Sequence, residues 1–344
     1  MTPAARVALL GRLARVVPVA GWLLLVVLII VPFAGSSRYL IYLGTLIALQ
    51  AALATSLNLV MGYAGQFAMS HAAFYGFGAY ASALLVGAGL GFWWSIPVAM
   101  AIAALVATVI GYPALRYTGG VQLALITFAF GELARLTAAN WHSLTGGPMG
   151  MRILYAPPPL LGIDVGSTRG MYALALAMFA ISLAVVFFVQ RSRFGRALVA
   201  VREDEVLASF LGIDVMRHKL VAYVMSSALA AMAGTAYAPI MSFISPDLLS
   251  AQESIALIGA LILGGIGTLA GPIVGTLVFF GIPELLRTAR LFRLVILGAV
   301  VVLVVLFMPK GVAGVVRDRL DRWQRAAARL PAVKPAAVRP ATTG

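Results

Sequence analysis

Residues 191–219 read RSRFGRALVAVREDEVLASFLGIDVMRHK. The stretch carries six basic and four acidic residues and lies between two apolar runs, each long enough to cross a bilayer. Nearly everything else between Val16 and Met308 has the character of membrane helix, so this polar interval sets how the rest is divided. Val199, Val206, Leu207, Phe210 and Leu211 recur at spacings near three and four. That pattern predicts one or two short amphipathic helices, broken near Gly212. An ordered, charged segment on one side of a lipid-embedded chain implies a water-soluble partner on that side.

The composition supports the division. Hydrophobic residues are 62% of the 344 and charged residues 10%, with a mean hydropathy of +1.01. A soluble domain has roughly a quarter of its residues charged, and a soluble fold of this composition would need a core with almost no surface. The expected fold class is an all-α polytopic membrane protein. Cysteine is absent, which excludes disulfides, thiolate catalysis and cysteine metal sites. The net charge of +14 comes without the interleaved basic and aromatic residues that nucleic acid requires. It gathers instead at Arg6, Arg12 and Arg15, at 191–219, and from Lys310 onward, where eight basic residues face only Asp318 and Asp321. This is the positive-inside pattern.

Residues 1–15 form a basic start with no small-residue cleavage site closing the apolar run that follows, so the first helix is expected to be retained. Spans are predicted at 16–33, 39–61, 67–86, 92–112, 121–139, 170–189, 220–243 and 291–308. Residues 253–286 are too long for one helix and are cut by Gly259, Gly264, Gly265, Gly267, Gly271, Pro272 and Gly275, so two short spans or a broken helix are expected. With the N-terminal arginines inside, the 140–169 loop falls on the periplasmic face and 190–219 in the cytoplasm. Two passes through 253–286 then return the basic tail, 309–344 and largely disordered, to the cytoplasm. The total is about ten spans across 16–308, with Arg287, Arg290 and Arg293 left outside. Gly-rich stretches at 58–84 and 258–280 suggest an inverted repeat of five plus five helices. The 140–169 loop, with its turn glycines and the prolines at 157–159, reads as a partner surface or a linker.

Three stretches could carry chemistry. Residues 58–83, NLVMGYAGQFAMSHAAFYGFGAYASA, set Asn58, Gln66, Ser70 and His71 in apolar sequence, where unpaired polar groups are costly. Gly62, Gly65, Gly76 and Gly78 allow helices to approach closely. Two readings stand: a packed interface whose polar groups satisfy one another, or an irregular helix beside a translocation path. Residues 112–120 read as a cytoplasmic turn, and Glu132 and Arg135 as a pair on one helix face, either structural or with a gating or pathway role. Residues 259–275, GALILGGIGTLAGPIVG, lack the lysine and hydroxyl residue of a phosphate loop, so Gly265, Gly267, Gly271 and Pro272 are expected to mark a helix break. No nucleophile, base and orienter can be assembled, and no metal set forms around His71.

Taken together, 58–80, 194–223 and 264–275 resemble the permease subunits of bacterial branched-chain amino acid ABC transporters, of the LivM type, over roughly 39–308. The three stretches occur in the family's order and approximate spacing. Where the family commonly reads Ser-Leu-Gly-His, this chain has Ala68, Met69, Ser70 and His71. The resemblance implies that 190–219 docks on an ATPase, with Glu203, Asp204, Glu205, Ala208 and Gly212 at the centre and Phe194 and Gly195 at the start. It implies a second related permease, two ATPase subunits holding ATP and Mg2+, and a periplasmic binding protein delivering leucine, isoleucine or valine at the inner membrane. This chain would then hold no cofactor. Relatives also carry urea, short amides and other small organic solutes. The competing class is an ion-gradient-driven secondary transporter, which would want an unpaired intramembrane carboxylate; Arg135 beside Glu132 weakens that case.

Overall fold

The computed structural model describes residues 37–118, 120–159, 162, 164–285, 292–308 and 311–314. The expected N-terminal segment at 1–15, the span at 16–33, and all of the 309–344 tail except 311–314 lie outside the described residues. The chain forms α1 (Arg38–Asn58), which continues as a π-helical turn over Leu59–Tyr63, then α2 (His71–Gly87), α3 (Phe92–Tyr117) and α4 (Val121–Asn140). After an irregular connection come α5 (Thr168–Arg191), α6 (Arg193–Glu203), α7 (Glu205–Phe210) and α8 (Val215–Met241). The last elements are α9 (Ala251–Gly264), α10 (Gly271–Thr276, running on through a π turn at Leu277–Gly281) and α11 (Phe292–Phe307).

Among the described residues, five helices are long and apolar enough to cross a membrane: α1 with its π turn, α3, α4, α5 and α8. The protein is an all-α polytopic membrane protein. In lipid no hydrophobic force draws helices together, so small residues and interhelical hydrogen bonds must hold the bundle. Helix α8 meets both needs. Alanine, serine and glycine fill its central turns, and it crosses α2 with backbones in contact, Gly78 against Ala231 and Gly234 against Tyr75. Ser226 Oγ donates to the Ser56 carbonyl of α1 at 2.6 Å. Helices α3 and α4, by contrast, turn Leu105, Val109, Leu125 and Leu133 outward, which suits lipid or an apolar partner.

Helices α5 and α8 separate the two ends of the bundle. At one end lies the 192–214 segment with α6 and α7. At the other, Met151–Arg152 (β1) pairs antiparallel with Phe243–Ile244 (β2), and the Ile153 amide donates to the Ser242 carbonyl at 3.0 Å. The 140–169 loop is therefore pinned to the connection after α8 and is not a free linker.

Several boundaries differ from expectation. The span predicted from residue 67 begins at His71, because 65–70 is irregular. The turn predicted at 112–120 is helix through Tyr117 despite Pro113; a membrane helix absorbs a proline where neighbours cover the freed carbonyl. Helix α8 starts at Val215, five residues early, because Asp214 Oδ1 caps it by accepting from the Arg217 amide at 3.0 Å. Residues 253–286 divide as expected: α9 and α10 fold back antiparallel around 265–270, with Gly264 opposite Gly271 and Ala260 opposite Gly275.

Candidate coupling site

The segment between α5 and α8 is built from caps. Ser192 Oγ accepts from the Gly195 amide at 3.1 Å and opens α6, and Asp204 Oδ1 accepts from Val206 and Leu207, both at 2.9 Å, to open α7. Gly212 ends α7 at φ +79°, a conformation that costs other residues about 1–2 kcal/mol. Open space surrounds the position a Cβ would take there, so the backbone, not bulk, selects glycine. Phe194 stacks on His218 at 5.2 Å, and Lys219 pairs with Glu205, tying both ends of the segment to α8.

Glu203, Asp204, Glu205 and Gly212, four of the five residues expected at the docking centre, are exposed. Ala208 and Gly195 are buried and hold the segment to its own bundle. Val206, Leu207, Phe210 and Leu211 instead face outward, Phe210 at 82% exposure and Leu211 at 72%. Glu203, Asp204 and Glu205 sit beside them, also exposed. The apolar recurrence in the sequence is thus an outward face on α7; the packed face is Leu198 and Val201 of α6.

Arg202 lies on that packed side, one turn after Leu198. Its Nη1 donates to the Gly62 carbonyl in the π turn of α1 at 2.7 Å, and Nη2 reaches Glu203 Oε1 at 2.5 Å. Its aliphatic stem covers Gly65, where a Cβ would come within 2.5 Å of Arg202 Cγ. On the other side of the same knot, Asn58 clasps the second break. The Gly267 amide donates to Asn58 Oδ1 at 2.8 Å, and Asn58 Nδ2 donates to the Thr268 carbonyl at 2.9 Å. A Cβ on Gly62 would lie 2.1 Å from Asn58 Oδ1 and 2.6 Å from the Gly267 nitrogen. One side chain from the 192–214 segment and one from α1 thereby join both helix breaks, which are about 200 residues apart in sequence. Gly265 and Gly271 flank the second break, with Pro272 in the first turn of α10, where its missing N–H leaves no bond unmade.

Along the irregular run 65–70 burial alternates: Gly65 and Phe67 are exposed, while Gln66, Ala68 and Ser70 are buried. Ser70 Oγ bonds the Tyr223 hydroxyl at 2.8 Å, His71 Nε2 bonds Ser56 Oγ at 2.7 Å, and the Met69 amide donates to Thr127 Oγ1 at 3.0 Å. The Ala72 amide donates to Ser254 Oγ at 3.1 Å. Gln66 is buried, and its side-chain amide has no partner among the described residues. The helix is interrupted here, and Asn58, Ser70 and His71 find hydrogen-bond partners within the bundle, as the packed-interface reading expects. Tyr223→Phe is expected to lower the thermal stability of the purified protein in detergent by about 1 kcal/mol. Ser70→Ala combined with it should lose little more, since both remove one bond, and a differential scanning measurement of the cycle checks this.

Arg202, Thr268, Tyr223 and Ser56 were not singled out by sequence. Arg202 stands four residues after Leu198 but is exposed, as Arg193 and Arg196 are, so spacing alone does not set it apart.

Comparison with known proteins accords with this geometry. The family described as "Branched-chain amino acid transport system / permease component" matches residues 39–306. The chain is 32% identical to the high-affinity branched-chain amino acid transport system permease protein LivM of Escherichia coli (strain K12), over 86% of this chain and 75% of that one. It is 29% identical to the corresponding LivH of Salmonella typhimurium, over 78% and 92%. To the autoinducer 2 import system permease protein LsrC of Enterobacter sp. (strain 638) it is 29% identical, over 71% of each. No solved structure matches. The chain belongs to the family of branched-chain amino acid transport system permease components.

Proposed function

We propose that the chain forms half of the translocation path of an ATP-driven importer in the bacterial inner membrane, carrying branched-chain or related hydrophobic amino acids. A second, related permease forms the other half; similarity to both LivM and LivH relatives supports a paired permease. Two ATPase subunits holding ATP and Mg2+ dock on α7, and a periplasmic binding protein delivers the substrate at the β1–β2 end. The observation that carries this reading is the exposed quartet Val206, Leu207, Phe210 and Leu211 on a capped, rigid helix outside the spans. An exposed apolar cluster outside the spans suits a docking surface, and Arg202, near the end of the preceding helix α6, joins the segment to the breaks of the bundle.

Ten spans in two inverted halves accompany the proposal. Its support is a shared order in each half: a long helix, an irregular run ending in a serine, then a short helix. Arg38–Tyr63, 64–70 and His71–Gly87 follow that order, as do Val215–Met241, 242–250 and Ala251–Gly264. The cytoplasmic 1–15 and 309–344 segments belong to the same proposal. Uptake into reconstituted vesicles tests the whole. Leucine accumulation that requires ATP, both ATPase subunits and the binding protein is expected; accumulation driven by an ion gradient through this chain alone would overturn it.

A further inference from the structure

The proposed coupling leaves the ion pair on α4 unused. Glu132 and Arg135 lie in a helix long and apolar enough to span the membrane, and their side chains are 26% and 29% exposed. Ionisable groups in such a helix are expensive to retain and point to the path of a polar cargo. The pairing is lopsided. Glu132 is fully engaged: Oε2 accepts from Arg135 Nε at 2.8 Å, and Oε1 accepts from the Ala251 amide at the start of α9 at 3.3 Å. Arg135 spends only its Nε–H in this way, and no described residue accepts from its two Nη groups. The guanidinium is thus held from behind, with its forked end unpartnered. Phe128, one turn along α4 from Glu132, and Ile255, one turn along α9 from Ala251, are exposed apolar side chains on the two helices that this pair joins.

We infer that Arg135 is a carboxylate-binding station for the substrate, with its two Nη groups accepting the α-carboxylate of a zwitterionic amino acid in forked geometry. Glu132 is the positioning residue that aims it, and Phe128 and Ile255 offer apolar surface for the side chain. The fork matches a carboxylate in two parallel bonds that a lysine cannot make. This inference rests on the amino-acid importer reading proposed above.

The test measures binding of leucine and of leucinamide, which lacks only the carboxylate, to the purified permease–ATPase complex without the binding protein. The wild-type complex should prefer leucine by roughly tenfold, as expected for one charge-assisted bidentate contact. Arg135→Gln should erase the preference and Glu132→Gln should reduce it. Arg135→Lys, which keeps the charge and so guards against a folding failure, should retain only part of it. Equal preference in wild type and Arg135→Lys, or in wild type and an assembled Arg135→Gln complex, overturns the assignment. So does a wild-type complex that transports leucine yet binds the two ligands alike. A wild type with no ATP-dependent leucine uptake at all would instead overturn the importer reading.

Discussion

Arg202→Ala is expected to cut leucine uptake per ATP hydrolysed by at least roughly tenfold, since a hydrogen bond from a charged donor is worth about 1.5–3 kcal/mol. The reason lies in where the guanidinium sits. It reaches from the end of α6, just before the helix proposed to meet the ATPase, to the Gly62 carbonyl, and it lies against Gly267, where a Cβ would come within 3.0 Å of Arg202 Nη1. Without it α6 remains attached to α5 and α8, so the ATPases still dock and turn over, but their motion no longer reaches the breaks. The partner pairing with Glu203 contributes little, because that carboxylate is largely exposed and screened. Arg202→Lys should recover part of the coupling through a single bond to Gly62. Measuring uptake and phosphate release on the same vesicles decides the matter; unchanged stoichiometry in Arg202→Ala would show that force passes elsewhere.

Gly62→Val is expected to destabilise the protein by about 3 kcal/mol, the upper end for overpacking, with loss of a buried amide pairing added. The first added carbon would already overlap the Asn58 side chain and the Gly267 backbone, neither of which can withdraw without opening the clasp between the breaks. The yield and melting temperature of the purified complex report it. Gly212→Ala offers the contrast, because it meets no atoms and carries only the left-handed backbone cost. A Gly62→Val protein that melts with wild type would remove the knot from the account.

Much of the fold was legible because hydropathy and length alone specify membrane helices, and because the break at 265–270 announces itself through glycine and proline. The break after Asn58 was harder to read. Glycine and Gln66 left a gap at 62–66 between the predicted spans, but only the tertiary bonds of Ser70, His71 and Met69 explain why the backbone stays out of the helix as far as residue 70. The coupling element shows a different limit. Periodicity correctly found an amphipathic segment but could not say which side packs, since Phe210 and Leu211 look like core residues until Leu198 and Val201 are seen to fill that role. Arg202 was counted as one more positive charge because its partner, a backbone carbonyl 140 residues away, leaves no mark in composition.

The chain contains no cysteine, so Phe210→Cys supplies a single thiol on the outward face of α7. Its rate of reaction with a membrane-impermeant maleimide, in inverted vesicles with and without the ATPase subunits and in intact cells, tests the docking claim directly. The account predicts fast labelling in stripped inverted vesicles, strong protection when the ATPases are restored, and none from outside intact cells. Labelling from the outer face, or a rate indifferent to the ATPases, would contradict it.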